Sequence, residues 1–248
     1  NLAIGTDALG GSVAGGEYNI AIGNASLDAL TSGDNNTVVG YNAGTAVTTA
    51  AKVTALGGFA CQSVTTGGSN IGIGYNANGG SNDETNNLGI GVDALTGSVN
   101  GGEYNIAIGN SSLDALTSGD QNVAMGYAAG GALNSGSNNV FIGNSAGIAQ
   151  TTASNNVLIG GDAGAAITTG GSNVFIGYTA GDGHDTEGSN LGIGVSALGG
   201  AIAGGEFNVA VGNSSGEDLT SADHTAMVGY QAGANVTEGS GSTFMGYQ

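Results

Sequence analysis

The chain has no proline, no tryptophan and no arginine, and among its 248 residues Lys52 is the only lysine and Cys61 the only cysteine. Each shortage removes a class of explanation. One cation stands against 19 acidic residues, giving a net charge of −18. Nothing is available to neutralise phosphates, so a nucleic-acid partner is not expected and an anionic membrane surface is disfavoured. The same acidity keeps a large exposed surface soluble. One cysteine rules out an intrachain disulfide, and Cys61 reads as a small buried hydrophobe. No apolar run is long enough to span a membrane, so membrane insertion is not expected. The chain reads as a piece of a longer polypeptide, so the lack of a signal peptide says little. The absence of proline suits a fold in which every segment must donate to a hydrogen-bond ladder.

Glycine is abundant instead, at 52 residues. It does not follow the every-third-residue rule of collagen. Disorder does not fit either, because the 40% of residues that are hydrophobic recur at fixed places. A glycine recurs from Gly5 through Gly23, Gly40 and Gly57 to Gly246, in eleven steps of 17 residues and three of 18. A fixed short period signals a repeat architecture and directs the functional question toward a long surface rather than a pocket.

Each unit opens N-x-x-x-G, as in Asn19-Ile20-Ala21-Ile22-Gly23. The first residue is Asn in twelve of fifteen units, with Val53, Thr225 and Ser242 as exceptions. The residue before the glycine is always apolar, and so, mostly, is the one two places earlier. Spacing of two with β-branched enrichment predicts a short strand with these side chains on one face. The residue between them is apolar or glycine in every unit (Ala3, Val38, Phe141, Leu158, Phe175, Met227 and Phe244 span the range). A strand apolar on both faces is covered on both faces. The coil interior covers one; an identical neighbouring chain is the simplest cover for the other. Val38, Phe141, Leu158, Phe175, Met227 and Phe244 are therefore the expected oligomer interface.

Three residues after the glycine stands Ala or Ser in every complete unit, which predicts a tight corner. Cys61 occupies the next position, otherwise held mostly by Leu or Gly. Seven residues after the glycine, apolar residues such as Leu30, Val47 and Ile167 suggest a second, weaker strand. Stacked coils rise about 4.8 Å each, so fifteen would give a rod of roughly 70 Å. The Asn column (Asn19, Asn36, Asn70, Asn105, Asn122, Asn139, Asn156 and Asn173) is expected to form a structural ladder. A longer repeat is superimposed: residues 1–34 and 87–120 match at 29 of 34 positions, and 190–223 form a looser third copy. The 18-residue coils lie in these copies and carry GGEYN or GGEFN, which predicts a bulge or longer loop. Residues 1–248 read as a single continuous solenoid domain, part of a longer fibre chain.

Residues with chemistry are sparse. His184 and His224 each sit beside an Asp, but no nucleophile motif accompanies them, and the chain is not expected to be an enzyme or to hold a cofactor. The acidic run 182–187 offers Asp182, Asp185 and Glu187 as a calcium candidate, without the spacing of a known calcium loop. Tyr follows the repeat glycine six times, with packing between coils favoured over stacking on sugars. Five N-x-S/T sequons, from Asn24 to Asn235, are the number expected by chance in so Asn-rich a chain.

The units NIAIGNASLDALTSG (19–33) and NNVFIGNSAGIAQ (138–150) resemble the S-V-A-I-G-x-x-S-x-A repeats of trimeric autotransporter adhesin heads and the N-T-A-L-G-x-x-A-type repeats of phage tail fibres. The resemblance is carried by the apolar-Gly pair and the following Ala or Ser. It implies a left-handed parallel β-roll, three chains about one axis and attachment to host surfaces. It transfers no catalytic residue. The expected fold is thus an all-β parallel β-solenoid of about 15 coils of 17–18 residues. The expected function is a structural or adhesive segment of an extracellular homotrimeric fibre, on a cell surface or virion, with a cell-surface glycan or protein receptor as further partner. The alternatives are an end-to-end surface filament and a monomeric glycan- or ice-binding solenoid.

Overall fold

A computed structural model describes residues 1–80, 82–98, 100–200 and 204–247. Fifteen three-residue strands are the only regular elements among them. Every strand occupies the three positions before a repeat glycine, as the sequence spacing predicts. The chain divides into two compact units, Asn1–Asn122 and Val123–Gln248. In the first, strands β1 (Leu2–Ile4) to β7 (Ile106–Ile108) pair in chain order, all parallel and in equivalent register, as Ala21 opposite Val38 and Val38 opposite Ala55 illustrate. In the second, β8 (Val123–Met125) to β15 (Thr243–Met245) do the same, with Phe141 opposite Leu158 and Leu158 opposite Phe175. Each unit is a parallel β-solenoid.

The strands alternate as their period of two demands. From β2 to β14 the central residue is buried and its two neighbours face outward, while in the first and last strands the centre is exposed or half-buried. This corrects the expected oligomer interface. Val38, Phe141, Leu158, Phe175 and Met227 are fully buried inside their own chain, and Phe244 is half-buried in the last strand. The flanking pairs, such as Ile71 and Ile73 or Val157 and Ile159, make the outer surface. The repeat Asn shares the parity of the central residue, so both point inward.

The turn side closes the coil by an unusual route. In each coil up to three residues have left-handed φ: in the second coil Ala25 at 54°, Leu27 at 49° and Asn35 at 59°. A left-handed non-glycine residue costs about 1–2 kcal/mol. Here each turns its amide along the stacking axis. The Ala25 N–H donates to the Thr6 carbonyl (2.8 Å), the Leu27 N–H to Ala43 (3.2 Å) and the Asn35 N–H to Glu17 (3.0 Å). One net hydrogen bond, at about 0.5–1.5 kcal/mol, offsets most of each distortion. The residue between the first two is the invariant Ala or Ser, buried throughout the described coils from Ser26 to Ala232. The repeat glycine has φ near +135°, and a Cβ on Gly23 would run into the Gly40 carbonyl of the next coil. Only glycine serves there.

The interior is filled from three positions: the strand centre, and the residues four and seven after the glycine. They compensate in size. Ala21 faces Leu27 and Leu30, whereas Phe175 pairs with Gly181, whose added Cβ would overlap the Phe175 ring. Cys61 belongs to this column beside Ala55. It is a free, fully buried thiol, and burial pushes its pKa up to about 12.

Candidate functional surface

The Asn column is a ladder, but one that runs mainly through the backbone. Asn36 Oδ1 accepts the N–H of Val53 in the next coil at 2.8 Å, and its Nδ2 donates to the Ala50 carbonyl at 3.0 Å. Asn156 repeats the pattern with Asn173 N–H (2.8 Å) and Gly170 carbonyl (2.8 Å). Amide-to-amide bonds accompany it from Asn105 to Asn87, at 3.3 Å, and from Asn122 to Asn105, at 3.1 Å. All eight predicted members are buried or described within this network. Where Val53 interrupts the column, Asn70 reaches back to the Gly67 carbonyl at 3.1 Å as well as forward to Glu84 at 2.7 Å.

Two carboxylates are buried; the sequence reading missed Glu84 and took Glu187 only as a calcium candidate. Three residues before the repeat Asn stands Gly or Ala in every coil except two, where it is Glu84 and Glu187. Both coils precede an 18-residue coil. Glu84 accepts the Gly101 N–H (2.7 Å) and the Asn82 N–H (2.8 Å). Glu187 accepts the Gly204 N–H (2.9 Å) and the N–H groups of Asp185 and Thr186 (3.0 and 3.1 Å). Gly101 and Gly204, with φ of 105° and 100°, belong to the loops that carry the extra residue. Each glutamate therefore clamps the longer loop of its neighbour. Burial raises the Glu187 pKa, but the backbone donors of Asp185, Gly204, Glu187 and Thr186 outweigh it and hold the pKa below the ordinary value of 4.5.

This geometry disposes of Asp182, Asp185 and Glu187 as a metal set within one chain. Glu187 is occupied by backbone donors. Asp185 is exposed and accepts the Thr168 hydroxyl. Asp182 is half-buried, and burial, with the charges of Asp162 and Glu217, raises its pKa. No cluster of three metal-binding side chains occurs among the described residues. His184 does not face its Asp neighbour either. Its ring is buried against Phe175 at 4.8 Å, and neither nitrogen has a hydrogen-bond partner. Burial pulls its pKa down to about 4, against the smaller opposing charge of Glu187. His224 stacks on Phe207 at 5.1 Å.

The outer surface has two characters. The outward strand positions are aliphatic apart from Thr37, Thr54 and Thr243, and none is charged. Beside them run the tyrosines. Tyr41 and Tyr75 are 57% and 55% exposed and meet the edges of Phe59 at 5.4 and 5.5 Å, so they pack coil to coil with their outer sides in solvent. Every acidic residue, and Lys52, lies on the turn side instead. Threonines there are spent on the stack: Thr31 and Thr48 donate to the carbonyls of Thr48 and Thr65 at 3.0 and 3.2 Å.

No family model, curated protein or solved structure matches this chain.

Proposed function

We propose that the chain is a structural and adhesive segment of an extracellular homotrimeric fibre, of the tail-fibre or surface-adhesin kind, that projects or forms an attachment surface. One observation carries this reading. The described polar side chains of the interior are largely consumed by the coil-to-coil ladder, while an uncharged aliphatic face is left outward along every strand. A molecule built this way offers length and surface rather than a reaction centre. The repeat resemblance to adhesin heads and tail fibres supports the same reading.

Light scattering at several concentrations tests it. A molar mass near three times the 23.5 kDa of one chain, unchanged on dilution, is expected. A single-chain mass overturns the homomeric fibre. Mass that grows with concentration without a plateau replaces it with an end-to-end filament.

A further inference from the structure

We infer that the outward sheet face is where copies of this chain pack on one another, sheet against sheet. This rests on the homomeric reading above and adds the surface that performs it. Three observations favour a second copy as the occupant.

The first is the placement of charge. All 19 acidic residues lie on the turns, and none lies on a strand or on the residue after the repeat glycine. Two copies meeting through their turns would bring carboxylates together with a single lysine each to relieve them. Two copies meeting through their strands keep both acidic surfaces pointing apart. The uncharged face is thus the only one on which a chain of net charge −18 can meet itself without repulsion.

The second is size. A three-residue strand is roughly 10 Å long and strands lie about 4.8 Å apart, so each contributes about 48 Å² of face. The seven strands of the first unit present about 340 Å² and the eight of the second about 380 Å². Each is a little under half of the ~800 Å² that each partner buries in a standard interface. Each unit alone already presents a patch within the ~300–600 Å² of the largest apolar patch usual on a monomer, a size that often marks a functional surface.

The third is texture. Ile71 and Ile73 in the first unit, and Val157 and Ile159 in the second, stand on parallel ladders of equivalent register, and Met125 is 41% exposed on the row of Ile159. The backbone polar groups beneath are paired along the ladders. A partner that meshes with these rows must carry the same spacing, and a copy of the chain does. Sheets pack face to face at about 10 Å by interleaving such rows.

The test compares two triple variants of the whole chain by light scattering and circular dichroism. Ile73→Glu/Ile90→Glu/Ile159→Glu places three charges on the face. Ser32→Glu/Thr49→Glu/Ser135→Glu places three on exposed turn positions. The expected result is loss of the oligomer to a single-chain mass in the first variant alone, with strand content retained. An oligomer that survives the face charges, with wild type also oligomeric, overturns this inference while the fibre reading stands. Wild type that is a single chain at every concentration overturns both. If the face variant fails to fold, Ile90→Cys and Thr49→Cys decide the matter. Disulfide-linked dimers from Ile90→Cys alone support the face, and none from Ile90→Cys in an oligomeric sample overturns it.

Discussion

The two units solve one packing problem in opposite ways. In Asn1–Asn122 the strand centres are small: Ala21, Ala55, Gly72, Gly89 and Ala107. The turn residue four after the glycine is then large or polar: Leu27, Cys61, Asn78, Leu95 and Leu113. In Val123–Gln248 the strand centres include Phe141, Leu158, Phe175 and Met227, and the same turn residue is Gly147, Gly164, Gly181 and Gly233. Val38 with Gly44 and Gly192 with Leu198 show that each unit can use the other's solution. Either wall can supply the side chain, and a coil with small residues on both walls, such as Ala210 with Gly216, is filled from its neighbours: a Cβ added at Gly216 would meet Met227 and Leu198. Reciprocity within a coil and with the coils beside it matters more than residue identity at any one position.

Exchanging the solutions tests this most directly, and should give the largest effect. Phe141→Ala removes a fully buried ring and should cost about 3–5 kcal/mol. Gly147→Leu alone should also destabilise, because a Cβ there lies 2.7 Å from the Phe141 ring. The double variant recreates the Ala21–Leu27 arrangement, whose Leu already has the required left-handed φ of 49°. Urea denaturation should show it losing at least about 1–3 kcal/mol less than the sum of the singles. Strict additivity would refute the reciprocity.

The second unit also holds both histidines, and this sharpens the comparison at acid pH. Folded His184 stays neutral down to about pH 4, whereas the unfolded side chain protonates near 6.5. The unfolded state then binds more protons, so the contribution is fully present above pH 6.5 and fades as pH falls toward 4. The full loss is on the order of 3 kcal/mol. Hydrogen exchange at pH 7 and pH 4.5 should show protection around Gly181–Leu198 falling more than around Gly44–Val64, and His184→Leu should abolish the difference. Equal loss in both segments, unchanged by the substitution, would assign acid sensitivity to the carboxylates alone.

These contrasts mark what the sequence does and does not disclose. The fifteen strands were legible, because a mostly apolar triplet before an obligatory glycine recurs with one period. The second strand expected around Leu30, Val47 and Ile167 does not form: those residues end turns and fill the interior instead. Which face turns inward was not. A strand apolar on both sides carries no alternation to orient it, so Phe141 and Phe175 looked as suited to an interface as Ile142 and Ile176. The deciding clue lay two residues upstream: Asn139 shares the parity of Phe141, and an Asn that ladders between stacked coils must be buried. The size exchange with Gly147 was a second clue. The left-handed turn residues were beyond reach, since Leu27, Phe59 and Thr179 have no intrinsic preference for that conformation. Only bonds to neighbouring coils hold them there.

The Asn column runs through both units, so it should not distinguish them. Asn36→Ala and Asn156→Ala each strip a buried backbone N–H and a carbonyl of their partners. Each should cost about 2–3 kcal/mol in urea melts, at the level of unsatisfied buried groups. A much smaller cost in the first unit would mean that neighbours compensate generally, as Asn70 does for Val53.

The glutamate clamps give the smallest expected effect and the finest comparison. Glu84 and Glu187 do one job in two units, but with different numbers of donors. Among the described residues Glu84 accepts two backbone N–H groups, and Glu187 three. Glu→Gln keeps the shape and one acceptor oxygen but removes the charge that strengthens each bond. Glu187→Gln should cost about 1–2 kcal/mol, and Glu84→Gln less. The lowered pKa of Glu187 adds a pH signature: its stabilisation is present above the unfolded value of 4.5 and is lost as pH falls through the lower folded value. The difference between wild type and Glu187→Gln should therefore vanish in strong acid. If it persists there, Glu187 acts through packing alone, and the 18-residue coils are held by their own glycines rather than by a carboxylate reaching across from the coil before.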